Sequence, residues 1–399
     1  MDPEIQIELF PAQHGDALLV RCVAGDDSTP TTNILIDGGL RETYEARLRP
    51  RLLQLAQSGE QLDLLVVSHT DADHIEGVLA LLEENGSAAS PKVIRIADCW
   101  HNSYRHLGLS GRDPTPAELE RVARQVGDPG LVSANGPISA KQGTTLAGLL
   151  RRGGYSWNGA FAHAAVVFPG AARIGRDVQV GVISPGQEQL RRLAQLWRRE
   201  LLALGVTPNA VSEAGFEEAF EKQLLRYLAA DDESEAVSYN DSLEPPLPDA
   251  FPEDKSTTNA SSIALVIEFR GRTALLLGDA VPSVVVPRLR ETGASMPFEV
   301  DWVKVAHHGS RRNMSYDLCH AMRGRAFLVS TDGARHGHPD PAALLAILAT
   351  QPKGVVIVFN YKTSVSESVA SAEAVARYGH RPHLVTDGRP LRLTDLVEG

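Results

Sequence analysis

Ile5, Ile7 and Leu9 alternate with polar neighbours, and short apolar runs follow at 17–20 and 33–37. Gly15-Asp16 and Gly38-Gly39 separate these runs, so the opening stretch predicts strands joined by turns. Leu48, Leu52, Leu53 and Leu55 fall on helical spacing and predict a helix over 41–58. The continuous apolar run 63–68 predicts a strand buried on both faces, and residues 75–85 return to helical spacing. A further strand is expected at 93–97. The second half of the chain repeats this order. A hairpin is predicted over 262–269 and 272–277 around Arg270-Gly271, then a helix near 282–292. Buried strands follow at 302–306, 326–330 and 355–359, with a helix over 340–350. Two sheets with helices outside account for the alternation.

The stretches between differ in composition. Residues 106–150 are rich in Gly and Pro, with a charged helical stretch at 115–125. Residues 186–255 hold an amphipathic helix from Gln187 to Leu204 and then an acidic, Pro-rich run. Both read as insertions in a single domain spanning 1–399. With 399 residues, 43% of them hydrophobic, the chain is long enough to bury a substantial core. Lys and Arg number 39 against 50 Asp and Glu, a net charge of −11. That balance excludes an overall basic coat for nucleic acid but leaves room for a local basic groove. No apolar run is long enough to span a membrane, and the Met-Asp-Pro-Glu-Ile start lacks the pattern of a signal peptide. The expected location is therefore the cytoplasm, with no membrane partner. Cys22, Cys99 and Cys319 are too few and too far apart for a disulfide scaffold.

Histidine and aspartate gather where the predicted buried strands end. Ser68-His69-Thr70-Asp71-Ala72-Asp73-His74 leaves the strand 63–68 and enters the next helix. Gly278-Asp279 follows 272–277, and His307-His308-Gly309-Ser310 follows 302–306. His336 and His338 follow 326–330. Loops at the C-terminal ends of strands are where ligand-binding side chains converge in layered α/β folds. Each loop alone reads as a polar turn, with Asp73 as a helix cap. Taken together, imidazoles and mutually repelling carboxylates in one place call for divalent cations.

The run His69-x-Asp71-x-Asp73-His74, with Asp37 in Ile-Leu-Ile-Asp-Gly-Gly and with Gly278-Asp279, resembles the signature of the metallo-β-lactamase superfamily of metallohydrolases. The Asn/Ser-rich segment 259–262, His-His-Gly-Ser and Gly337-His338-Pro339 are similar to the hydrolase domain of the bacterial DNA-uptake protein ComEC and its free-standing relatives. The likeness spans roughly 5–100 and 255–390. It implies an α+β fold, a four-layer αββα sandwich with helical and loop insertions. It also implies two divalent metal ions, Zn2+ or Mn2+, with Mg2+ admissible. His69 and Asp71 would hold one ion, Asp73 and His74 the other; Asp279 would bridge them and His307 would complete the second set. One of the adjacent His307 and His308 is expected to turn away, and the sequence leaves open which. Asp37 would orient a ligand from the core, and His14 would orient a ligand or line the cleft. Asn259 stands where the superfamily usually has His, and Asp71 replaces another. Both changes shift the donors from nitrogen toward oxygen, which favours Mn2+ or Mg2+ and leaves the ion at His69 and Asp71 the weaker one.

By the same resemblance Asp73 would orient the attacking water, and His338 would contact the substrate or leaving group. Ser310 or Lys304 would stabilise an oxyanion. The expected function is a metal-dependent hydrolase, a phosphodiesterase or nuclease acting on DNA or a nucleotide-derived diester. Arg311-Arg312, Arg323 and Arg325 are candidate phosphate contacts. The competing readings are hydrolysis of a lactone, thioester or amide, and a catalytically inactive binding module on the same fold. His101-Asn102 is a candidate cleft lining, while His106, His163, His320, His380 and His383 read as ordinary surface or core residues.

Overall fold

The computed structural model describes residues 2–26, 28–107, 145–203 and 252–398. Strands β1 (Glu4–Leu9), β2 (Leu18–Val23) and β3 (Thr32–Ile36) form an antiparallel meander, extended in parallel by β4 (Leu64–Val66). A short ribbon, β5 (Gly86–Ser87) with β6 (Ser90–Pro91), precedes β7 (Cys99–Trp100), which pairs with β4. The antiparallel strands β8 (Ala171–Ile174), β9 (Val178–Ser184), β10 (Ala264–Phe269) and β11 (Arg272–Leu276) open the second sheet. Four parallel strands continue it: β12 (Phe298–Lys304), β13 (Met322–Val329), β14 (Val356–Phe359) and β15 (Arg381–Leu384). Finally β16 (Pro390–Leu391) returns to β1. The sheet orders are β16-β1-β2-β3-β4-β7 and β15-β14-β13-β12-β11-β10-β9-β8.

Three apolar clusters separate four layers. Ile7, Val20, Ile34 and Leu64 of the first sheet meet Val180, Leu265, Trp302 and Leu328 of the second. Leu19, Leu35 and Leu65 point the other way, onto Leu52, Ile75, Val78 and Leu82 of the helical layer. On the far face Val303, Phe327 and Ile357 pack with Leu289, Leu318, Leu344 and Ile347. Strands covered on both faces read as continuous apolar runs, which is why the expected αββα sandwich was legible and is what the structure contains.

The helix expected over 41–58 is Arg41–Thr43, a π turn at Tyr44–Leu48, and Arg49–Gln57. The strand expected at 93–97 is absent and a strand forms instead at Cys99–Trp100. The reason lies in Asn85, whose Oδ1 accepts from the N–H groups of Val93 and Ile94 at 2.9 and 3.0 Å, replacing strand partners there. The pattern also missed β8 and β9; β8 is mostly exposed and carries little apolar signal. Most of the two expected insertions, with the helical stretch at 115–125, lies outside the described residues. Their described margins include the helix Leu146–Gly153, whose Leu146, Ala147 and Leu150 join the helical-side core. They also include the helix Gln187–Ala203. No helix among the described residues is long and apolar enough to cross a membrane.

The sheets are stitched together at one end by the β1–β2 loop. Asn360 Nδ2 donates to the Phe10 carbonyl at 2.9 Å, Ser330 Oγ to the Gly15 carbonyl at 2.8 Å, and Gln13 N to Tyr361 Oη at 2.8 Å. Gly15 lies so close to the first turn of the helix Ala72–Asn85 that a Cβ there would stand 2.0 Å from the Asp73 carbonyl oxygen. The ends of β3, β4, β11, β12 and β13 open at this same end, and they carry the polar residues described next.

Candidate metal centre

The first sheet delivers its donors in one loop. Asp71 sits at the N-cap of the helix Ala72–Asn85 without capping it through its side chain, so its carboxylate remains available. Asp37, in left-handed conformation after β3 (φ 57°), is buried and receives three hydrogen bonds. Ser68 N and Oγ donate at 2.7 and 2.6 Å, and His74 Nδ1 at 2.9 Å. Because the Ser68 hydroxyl gives its proton to Asp37, it accepts from His69 Nδ1 at 3.0 Å. Both imidazoles are thereby held with the proton on Nδ1 and a bare Nε2.

The second sheet delivers its donors from separate strands. Asp279 follows β11, its backbone held by Ser262 Oγ at 3.3 Å and by Asn313 Nδ2 on its carbonyl at 3.0 Å. His307 (φ 45°) and His308 (φ 55°) are both left-handed. Such a conformation costs a non-glycine residue on the order of 1–3 kcal/mol. It also turns successive side chains by roughly a third of a circle, as in a helix, where an extended chain would turn them to opposite sides. Both imidazoles therefore face the centre. His308 Nδ1 donates to the Ser330 carbonyl at 2.9 Å, and His307 Nδ1 to Asn313 Oδ1 at 3.0 Å. Again Nε2 is left bare on each.

The four bare nitrogens surround three carboxylates. Asp279 Oδ2 lies 3.6 Å from both His69 Nε2 and His307 Nε2, while its Oδ1 lies 3.6 Å from His74 Nε2. Asp71 Oδ2 is 3.5 Å from His69 Nε2. Asp73 Oδ2 is 3.3 Å from His308 Nε2 and 3.8 Å from His74 Nε2. His69 Nε2, His74 Nε2, His308 Nε2, Asp71 Oδ1 and Asp279 Oδ1 are buried without any hydrogen-bond partner. Unsatisfied atoms of this kind are costly unless something binds them. Donors held about 2.0–2.2 Å from one ion can stand at most about 4.4 Å apart, so every distance above fits shared coordination. The residues divide into His69, Asp71 and His307 on one side and Asp73, His74 and His308 on the other, with one oxygen of Asp279 in each half.

Charge tells the same story. Burial pulls the His69 pKa down, but Asp71 and Asp279 outweigh it and push it up to about 10. His307 is pushed up to about 9 against burial, chiefly by Asp279 and Asp254. His74 and His308 also rise against burial, and Asp73 and Asp279 fall against it because imidazoles surround them. Without a cation this cluster collects protons on its nitrogens; divalent ions would take their place.

Several expected placements change. His308, not His307, stands beside Asp73 and His74, and His307 stands on the His69 side. Each half therefore has two imidazoles, and the expected nitrogen-poor, weakly held half is not found. Asn259 donates through Nδ2 to Asp254 Oδ2 at 2.8 Å, and its Oδ1 is buried without a hydrogen-bond partner. Lys304 is buried in an ion pair with Asp16 at 2.6 Å and does not serve an oxyanion. Ser310 Oγ is buried and accepts from Arg312 N at 3.3 Å. Arg323 and Arg325 pair with Glu299 and Asp301 (3.0 and 3.2 Å) at the opposite end of β13, far from the strand end that carries Ser330. His338 lies at the rim, its ring 5.4 Å from His307 and its Nδ1 3.5 Å from Asp340 Oδ2. His14 is also at the rim, with Nε2 3.2 Å from Arg335 Nη1. Asn102 exchanges hydrogen bonds with the Val166 backbone, and His101 stacks on Trp157, so both have structural partners.

Two carboxylates were missed. Asp254 accepts from Asn259 and Asn313 (2.8 and 3.2 Å) and lies 3.5 Å from His307 Nδ1. It ends an acidic stretch that reads as surface loop. Asp16, in what reads as a turn, stands 3.4 Å from His308 Nδ1. One atom each of Asp16, His74, Asp279 and His308 lie within 4.8 Å of one another. The Asp16 oxygen nearest His308 is on the Nδ1 edge of the ring, opposite Asp73, which places Asp16 behind the imidazole.

The fold and this donor set define the class. Residues 13–134 match the metallo-beta-lactamase superfamily, and the described residues form a fold of that type with a candidate metal-binding cluster. Among solved structures, CmlA, a diiron beta-hydroxylase from Streptomyces venezuelae, is similar at 13% identity and a TM-score of 0.39, covering 98% of this chain and 54% of that chain. A mutant of the same beta-hydroxylase gives the same values. The chain thus spans about half the length of the structures it matches. No curated protein matches it by sequence.

Proposed function

We propose that the protein is a metal-dependent phosphodiesterase acting on DNA or another nucleotide-derived diester. The observation that carries this reading is the set of four imidazoles, each with Nδ1 engaged and Nε2 bare, around a carboxylate that divides its oxygens between them. Two divalent ions bound there would supply a water of lowered pKa and positive charge for a phosphoryl oxygen. The remaining work falls to the chain. Asp37, Ser68, Asn313 and the Ser330 carbonyl hold each ring through Nδ1 and keep the donor nitrogens aimed at the centre. Asp73, partly outside the burial that encloses His74, is placed to accept a hydrogen bond from the attacking water. Burial holds the His338 pKa below its ordinary value, so at neutral pH it is a neutral imidazole that can hand on a proton. It is not a fixed cation for the phosphate.

Carboxylate oxygen in both halves favours the hard ions that suit phosphoryl chemistry. The order of motifs shared with the ComEC hydrolase domain supports DNA as the substrate class. Purified protein should be assayed on linear and single-stranded DNA, RNA, cyclic dinucleotides and bis-p-nitrophenyl phosphate, with Mn2+, Mg2+ and Zn2+ supplied separately. Turnover of at least one diester with Mn2+ is expected, with none of lactone, thioester or β-lactam substrates. Metal uptake without any diester turnover would overturn the reading.

A further inference from the structure

Lys304 is the most deeply buried lysine in the described chain, 1% exposed at the end of the central strand β12. Its Nζ meets Asp16 Oδ2 at 2.6 Å and the Val305 carbonyl at 3.0 Å. Asp16 is equally buried. A buried ion pair is generally no more stabilising than well-packed apolar side chains of the same volume, so its presence asks for another reason. The surroundings supply one. Asp16 N donates to the Asp73 carbonyl at 3.1 Å, and Gly15 beside it lies flush against Asp73. The second oxygen, Oδ1, has no full hydrogen bond and stands 3.4 Å from His308 Nδ1. One residue of the first sheet thus touches the backbone of one donor, the imidazole of another, and a lysine of the second sheet.

We propose that the buried Asp16–Lys304 pair is a positioning device for His308. The Asp16 carboxylate, with the Ser330 carbonyl, keeps the proton of His308 on Nδ1 and its Nε2 turned toward Asp73. Lys304 supplies the charge that lets this carboxylate remain in the interior. A carboxylate behind a histidine ligand makes the ligand nitrogen more basic and fixes its ring. The same two residues therefore bias the half of the centre formed by Asp73, His74 and His308. This rests on the two-ion reading of the centre, but neither Asp16 nor Lys304 touches the substrate side.

The test compares wild type with Asp16→Asn, Lys304→Met and the double variant. The melting temperature is read on EDTA-treated protein, Mn2+ stoichiometry and affinity by elemental analysis and calorimetry, and the coupling between ions by EPR. Wild type should take up two Mn2+ with a spin-coupled spectrum. Each single variant leaves one charge buried and alone, and should melt lower. The double variant should recover the melting temperature yet bind the second Mn2+ about 10- to 100-fold more weakly, with an uncoupled mononuclear spectrum. Asp16→Glu gives the same readout should the double variant not fold: the charge pair is kept, the carboxylate is displaced, and the second ion weakens. Wild-type Mn2+ affinity and a coupled spectrum in the double variant, or in Asp16→Glu, would show a purely structural pair and overturn the proposal. A wild type that takes up no Mn2+ would instead overturn the two-ion reading, and this inference with it.

Discussion

The two sides of the centre are built differently. The first sheet provides His69, Asp71, Asp73 and His74 within six residues, backed by the single buried carboxylate of Asp37. The second sheet provides Asp279, His307 and His308 from two strand ends, backed by Asp254, Asn313, Ser330 and Asp16 from four further places. One side is a local motif whose geometry follows from a strand-to-helix loop. The other is assembled by the whole fold and includes two successive strained residues. The geometry of the local side should therefore depend less on the rest of the molecule than that of the assembled side.

Asp279 breaks the comparison, because it is the carboxylate with an oxygen in each half. Asp279→Asn should cost both ions and reduce kcat/KM by about a thousandfold or more, the rate equivalent of several kcal/mol of charge stabilisation. Elemental analysis showing two retained ions in that variant would refute the bridging geometry. Asp73→Asn sharpens the comparison by touching one half. The expected outcome is a single retained Mn2+ and turnover lowered by about a hundredfold or more. His307→Gln should give the complementary result, the retained ion now being the one at Asp73, His74 and His308. If both variants lost the same ion, the division of donors between halves would be wrong.

The local side was legible in the sequence because its residues are contiguous and lie between a buried strand and a helix. Asp37 and Asp279 were legible for a related reason: Asp37 directly follows a run of apolar residues, and Asp279 follows one after a single glycine. The assembled side was not. In an extended chain adjacent side chains alternate, which gives the expectation that only one of His307 and His308 faces the centre. The left-handed backbone at both positions removes that alternation, and no residue type announces it. Asp254 and Asp16 carry no pattern of their own, since their roles depend on partners 53 and 288 residues away, His307 for Asp254 and Lys304 for Asp16. Arg323 and Arg325 show the converse error. Charge near a motif in sequence lies at the other end of the sheet once the strand is drawn out.

Protons sharpen the contrast further. His69 rises to about 10 and His307 to about 9, both above the ordinary value of 6.5. A histidine whose folded pKa is raised stabilises the folded state fully below its unfolded pKa, and that contribution is lost as pH rises through the folded pKa. EDTA-treated protein should therefore lose stability between about pH 6.5 and pH 10. Metal binding must displace these same protons, so Mn2+ affinity should rise over that range, by about tenfold per pH unit for each proton displaced. Melting curves of the metal-free and Mn2+-loaded protein across this range would decide it. Parallel curves would mean that the imidazoles do not exchange protons for metal.

The smallest effect is expected where the backing of the two sides is compared directly. Asp37 is 1% exposed and accepts from Ser68 twice and from His74, so it sets His74 directly and His69 through Ser68. Asp254 has a side chain 11% exposed, and Asn313 already accepts the His307 proton, so Asp254 acts at 3.5 Å as a second, partly screened charge. Neither is a donor to the centre itself. Asp37→Asn should weaken Mn2+ binding about 10- to 100-fold in both halves, as loss of a partner behind a metal-binding histidine generally does. Asp254→Asn should weaken only the His69, Asp71 and His307 half, by about tenfold or less, because Asn313 remains to hold the imidazole. It should also lower the pH at which His307 gives up its proton, since one of the two charges raising it is gone. Calorimetric titration of the two variants side by side separates the cases. Equal losses would mean that the second sheet depends on a single partner for each histidine just as the first does, and the distinction between a local and an assembled side would fail at the level of its supports.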